Sequence, residues 1–181
     1  MKMIKLLLGT LVLLSTLTMT AMAETKAEID ADANKAINTF IDENKGGDAF
    51  LVKSKAFLVF PDIKEAGMFI GGKYGEGVLR VGRDTKAYYS IKSASIGMQM
   101  GAQQYAMIIA FTSDAALNKF LLDDDWKTDV DGKIAMAEWN SKEELDKIDF
   151  DDDMVAFVFD STGIMGSFTM EGTKFERIKQ D

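Results

Sequence analysis

Glycine is threaded through the apolar segments of this chain, and that pattern leaves few folds open to it. The first block runs Phe57-Leu58-Val59-Phe60-Pro61-Asp62-Ile63-Lys64-Glu65-Ala66-Gly67-Met68-Phe69-Ile70-Gly71-Gly72-Lys73-Tyr74-Gly75-Glu76-Gly77-Val78-Leu79. A second is Ser95-Ile96-Gly97-Met98-Gln99-Met100-Gly101-Ala102-Gln103, and a third is Gly163-Ile164-Met165-Gly166-Ser167-Phe168-Thr169-Met170-Glu171-Gly172-Thr173-Lys174-Phe175. Glycine lacks a Cβ and gives up the most backbone entropy on folding, so it weakens helices and flat strands alike. Segments this rich in it point to tight turns or bulges where side chains would clash.

The apolar periodicity agrees. Phe57 to Phe60 is a short run that Pro61, the chain's single proline, is expected to stop. Met68 to Ile70 and Val78 to Val81 read as further strands, with a tight hairpin or bulge over 71–77 between them. Ile96, Met98 and Met100 alternate with Gly97, Gln99 and Gly101, as in a half-buried strand. Tyr105 to Phe111 is continuously apolar, as a central strand buried on both faces would be. Ile134 to Trp139, Met154 to Phe159 and Ile164 to Met170 complete the set.

Helical signals sit at the start and once in the middle. Thr25 followed by Glu28 is a capping box, after which Ile29, Ala33, Ala36, Ile37, Phe40 and Ile41 repeat at helical spacing up to Gly46-Gly47. A short helix is expected over Asp48 to Lys53, and another after Ser113, carrying Leu117, Phe120 and Leu121. The fold class is therefore α+β: a mainly antiparallel, strongly twisted or partly closed β-sheet with N-terminal helices and one short internal helix.

The three glycine blocks, in this order, resemble the SYLF domain, over roughly residues 45–178. That family is best known from eukaryotic lipid-binding and actin-regulating proteins and has many bacterial members. The resemblance implies that the glycine-rich segment at 71–77 is a family hallmark, and that basic residues of the N-terminal region contact lipid headgroups. A nucleotide-loop reading of the same glycines fails on chemistry. Gly72-Lys73 is followed by Tyr74 where a phosphate loop needs Ser or Thr, and the next element reads as a strand.

The first 23 residues read as an export signal: Lys2 and Lys5, an apolar run from Leu6 to Met19, and a small-x-small site at Ala21-Met22-Ala23. Cleavage after Ala23 would place the mature protein in the periplasm or outside the cell. The expected organisation is a removed leader at 1–23, an acidic amphipathic helix at 24–44 and a SYLF-like domain at 45–181.

Composition excludes much chemistry. With no histidine and no cysteine there is no Ser-His-Asp triad, no Cys-His pair and no histidine-ligated zinc or copper. No enzyme activity and no cofactor are expected. The methionines suggest an adaptable core or an apolar pocket, of which core is the better reading.

Without Lys2 and Lys5, 19 basic residues face 29 acidic ones, a net charge of −10, which disfavours nucleic acid as a partner. The charge is uneven. Lys45 to Lys92 holds 9 basic and 5 acidic residues, whereas Asp114 to Asp153 holds 5 and 14. Within the latter, Asp129, Asp131, Gly132, Ile134 and Glu138 follow the spacing of a calcium loop, but Lys127 stands where its first carboxylate belongs. The competing reading is a solvated acidic turn.

The candidate lipid-contact residues are Lys53, Lys55, Lys64, Lys73, Arg80 and Arg83 in the cationic half. Each lysine near an anionic surface contributes about 1 kcal/mol, so roughly four to six on one face could hold a protein there. An ordinary solvated surface is the alternative. The expected partner is anionic phospholipid at the cell envelope, with an envelope protein partner as the other possibility. The helix at 24–43 departs from membrane-binding relatives, since its 6 acidic and 2 basic residues would be repelled by anionic lipid.

Overall fold

A computed structural model describes residues 24–137, 144–163 and 169–179, with the backbone alone described at 68–70, 95–100 and 163. Two helices come first, α1 (Lys26–Glu43) and α2 (Gly47–Lys53). Thr25 caps α1: its Oγ1 accepts from Glu28 N at 3.3 Å while the Glu28 carboxylate accepts from Thr25 N at 2.9 Å, completing the capping box.

Two very long strands follow, β1 (Ala56–Val81) and β2 (Asp84–Phe111), paired antiparallel around a turn at Gly82-Arg83. Then come α3 (Asp114–Leu121), β3 (Asp125–Lys127), β4 (Ala135–Met136), a short 3-10 turn (Leu145–Lys147), β5 (Met154–Gly163) and β6 (Lys174–Ile178). Ser113 caps α3 by accepting from Ala116 N at 3.2 Å.

The strands form one strongly curled half-barrel sheet ordered β3-β6-β2-β5-β4, with β1 against β2. The β4–β5 pair is parallel and the other described pairs are antiparallel. β2 carries the curl. Its early part, Tyr88 to Lys92, pairs with β6, and its late part, Gln103 to Phe111, pairs with β5.

Several expected boundaries move. The segments expected as separate strands at 57–60, 68–70 and 78–81 are one continuous strand, β1. Pro61 does not stop it, because the register shifts between Phe60 and Ile63 and that bulge absorbs the missing N–H. Nor is 71–77 a hairpin. Its glycines let β1 cross over itself: a Cβ on Gly77 would lie 2.2 Å from the Val59 carbonyl oxygen and 2.6 Å from the Phe60 ring. One on Gly75 would lie 2.8 Å from the Asp62 carbonyl. The expected steric cause is correct, but 71–77 is neither a hairpin nor a bulge, since its pairing with β2 runs in unbroken register; the chain reverses at Gly82, where φ is +60°. The strand expected at Ile134 to Trp139 is described as Ala135–Met136, and most of the one expected at Ile164 to Met170 lies outside the described residues.

Alternation along the central strands builds two cores. Leu58, Phe60, Met107, Ile109 and Phe111 face one side, packed with Phe120, Trp126 and Phe175. Phe57, Val59, Ala106, Ile108 and Ala110 face the other, where Ile29, Ala33, Ala36 and Phe40 of α1 and Phe50 and Leu51 of α2 cover them. Tyr105 to Phe111 is buried throughout, as its unbroken apolar run requires. Met107, Met154 and Met170 are core residues.

Candidate functional site

α1 carries more apolar surface than the sheet covers. Its stripe at Ile29, Ala33, Ala36 and Phe40 is buried in the core. A second row, Asn34, Ile37 and Ile41, is displaced around the helix and left half-covered or open. This row forms one wall of a groove of about 370 Å³. Leu51 and Val52 of α2 and Phe57 of β1 also line it. Val52, at 84% exposure, stands on its lip as a large apolar side chain in open solvent.

The groove also takes in Arg80 at the end of β1, together with Gly82 and Arg83 of the β1–β2 turn. Arg80 is 9% exposed and held from several sides. Its Nη2 donates to Asp30 Oδ1 and to Asn34 Oδ1, each at 3.0 Å, and its Nη1 donates to the Arg83 carbonyl at 3.0 Å. The buried Nε has no acceptor among the described residues. Asp30 also accepts from Thr85 Oγ1 and from the Tyr88 hydroxyl, each at 2.6 Å. Partial burial pushes the Asp30 carboxyl up, but the bonds from Thr85 and Tyr88 and the Arg80 charge outweigh it, leaving its pKa below the ordinary value. The same bond pushes the Tyr88 hydroxyl up.

The six candidate cations are thus distributed unequally. Arg80 and Arg83 meet at the groove. Lys53 is exposed and follows Val52 at the end of α2, beside a smaller hollow that includes Phe50 and Ile148. Lys55 pairs with Asp114 at 3.2 Å, and Lys64 with Asp62 at 3.1 Å, both at the surface where such pairs contribute little. Lys73 is 7% exposed, and its Nζ donates to the Thr169 carbonyl at 3.0 Å. Burial pulls the Lys73 ammonium down, against an upward pull from Glu65. Arg83 and Lys53 have no side-chain partner among the described residues.

Sequence reasoning missed the apolar half of this site. Ile37 and Ile41 fit the helical period and read as core, while Leu51 and Val52 fall in a helix too short to show a face. The available signal was surplus: α1 carries Ile37 and Ile41 beyond what one buried stripe needs.

The acidic stretch is built differently. The 127–132 segment closes on itself, with Asp131 accepting from Lys127 N at 2.7 Å and Asp129 N donating to the Gly132 carbonyl at 2.7 Å. Gly132 packs flat on Trp126, where a Cβ would come within 2.7 Å of the ring. The spacing that suggested a calcium loop is drawn into a tight turn, and Glu138 lies outside the described residues. Among the described residues no group of three or more acidic side chains is placed to hold a metal ion. None of the described helices is long and apolar enough to cross a membrane.

A family model described as "Ysc84: Las17-binding protein actin regulator" matches residues 92–181. That span starts within β2 and includes α3 and every later strand, so it covers most of β2 and β3 to β6 but neither β1 nor the groove. No curated protein sequence is significantly similar to the chain.

Proposed function

The chain belongs to the Ysc84 family, the SYLF domain family, through its residues 92–181, and on that footing we propose that it is a non-enzymatic lipid-binding domain of the cell envelope. The observation that carries the proposal is the groove. Its walls are apolar, formed by Ile37, Ile41, Leu51, Val52 and Phe57, and its polar end holds Arg80 and Arg83. A concave apolar site with a few convergent polar groups is the usual form of a small-molecule site. An acyl chain would lie along the walls, and its anionic headgroup would meet Arg83, with the Arg80 guanidinium behind it.

Lipid contact through a broad cationic face is a weaker reading of the same chain. Lys73 is buried elsewhere, and Lys55 and Lys64 are paired to carboxylates. Export, with loss of residues 1–23, would bring the domain to the envelope, where anionic phospholipid is available. The absence of histidine and cysteine, and a family of binding domains, support a non-catalytic role.

Vesicle co-sedimentation of residues 24–181 tests the reading, with phosphatidylcholine alone or mixed with phosphatidylglycerol at low and moderate salt. We expect binding to the anionic vesicles that weakens with salt and with Arg83→Glu. Binding indifferent to lipid charge and to Arg83 would overturn the headgroup role. The family's description as Las17-binding actin regulators favours a second reading, a protein-interaction module. A stable crosslinked envelope partner, with no affinity for vesicles or for free amphiphile, would establish it.

A further inference from the structure

We infer that the groove takes one single-chain amphiphile at a time: an aliphatic chain ending in one small anionic group, of which a fatty-acid carboxylate is the simplest case. This rests on the lipid-binding reading and narrows it from a membrane surface to an individual molecule.

Size is the first ground. A water molecule takes about 30 Å³ of liquid, and a methylene is similar in size. A cavity of about 370 Å³ then holds on the order of a dozen such groups. That suits one aliphatic chain of medium length lying along the groove.

Charge is the second. Arg83 is exposed, lines the groove and has no side-chain partner among the described residues, so its charge is available to a small anionic group. Arg80, held by Asp30, Asn34 and the Arg83 carbonyl, adds a second positive charge behind it. The remaining charged residue of the lining is Asp48 in the first turn of α2, which repels an anion and leaves the arginine side for the headgroup.

The surroundings of the mouth are the third. Val52, at 84% exposure, is the exposed large apolar side chain among the described lining residues, too little to anchor the domain in a bilayer but well placed to cover a chain lying in the groove.

Isothermal titration of the protein with a saturated fatty-acid series from hexanoate to dodecanoate, each below its micelle-forming concentration, tests this. The expected result is one site per chain, with affinity rising about threefold to fourfold per methylene until the cavity is full and then levelling. Dodecanol should bind at least tenfold more weakly than dodecanoate. Arg83→Glu and Val52→Glu, both at exposed positions and expected to melt like the wild type, should each weaken dodecanoate at least tenfold. Equal affinity for dodecanol, or no effect of either substitution, would overturn the inference. Binding to anionic vesicles with none to any free acid would overturn it too, while leaving the lipid-binding reading intact. Binding to neither would remove both.

Discussion

Asp30 is the residue on which the most polar contacts of the N-terminal helix converge. It accepts from Arg80, Thr85 and Tyr88, so one carboxylate ties α1 to the end of β1 and the start of β2. Its folded pKa is depressed, so the carboxylate stabilises the fold fully above its unfolded pKa and loses that contribution as pH falls through the folded value. Asp30→Asn should cost about 2 kcal/mol at pH 7, the scale of hydrogen bonds to charged groups, because it leaves the Arg80 cation buried without its counter-charge. Urea denaturation should show the difference from wild type narrowing below about pH 4. A constant difference across that range would show that geometry, not charge, sets the cost. Glu176 titrates in the same direction, held at about 2 chiefly by hydrogen bonds from Lys174 and Lys92, but at the surface, where solvent screens it. None of Asp30's partners was legible beforehand. They lie 50 to 58 positions away, and only the packing of α1 on the sheet selects them.

At the scale of the element, β1 shows why glycine was informative and why its meaning was mistaken. Glycines at 71–77 signalled close approach, but periodicity cannot tell a reversal from a self-crossing. Both require the absence of a Cβ. The distinction predicts different costs. Gly77→Ala must displace the Val59 carbonyl, which is backbone, and should cost about 3 kcal/mol, near the upper end for overpacking. Gly82→Ala meets open space, and its cost should be that of the left-handed backbone, about 1 kcal/mol. Thermal melting of the two variants compares them directly, and equal costs would remove the self-crossing as the reason for Gly77. The strands β3 and β6 escaped notice because Asp125–Lys127 and Lys174–Ile178 are short, charged and only partly apolar. They are strands because each finds a partner, Trp126 lying opposite Phe175 in the β3–β6 pair.

For the molecule as a whole, the distinction expected between an acidic helix at 24–44 and a domain at 45–181 has an energetic test. Ile29, Ala33, Ala36 and Phe40 cover one face of the sheet together with Phe50 and Leu51 of α2, and Phe40 stacks edge-on against Phe157 at 5.4 Å. Removing residues 24–43 should expose that core and abolish cooperative melting, read by calorimetry; a shortened chain that still melts cooperatively would make α1 an appendage. The α+β class, the antiparallel sheet, the cap of each long helix and the exclusion of histidine and cysteine chemistry were all determined by the sequence alone. They depend on residue type, on periods of two or 3.6, and on side-chain-to-backbone bonds three residues apart, all of which are local. The curl of β2, the crossing of β1 and the groove were decided only by tertiary structure. Each depends on which distant surfaces meet and on how much apolar helix they leave uncovered. The cationic half shows the same division, because its net charge can be counted along the chain. Whether Lys73 is buried or Arg83 is exposed depends on where the sheet bends.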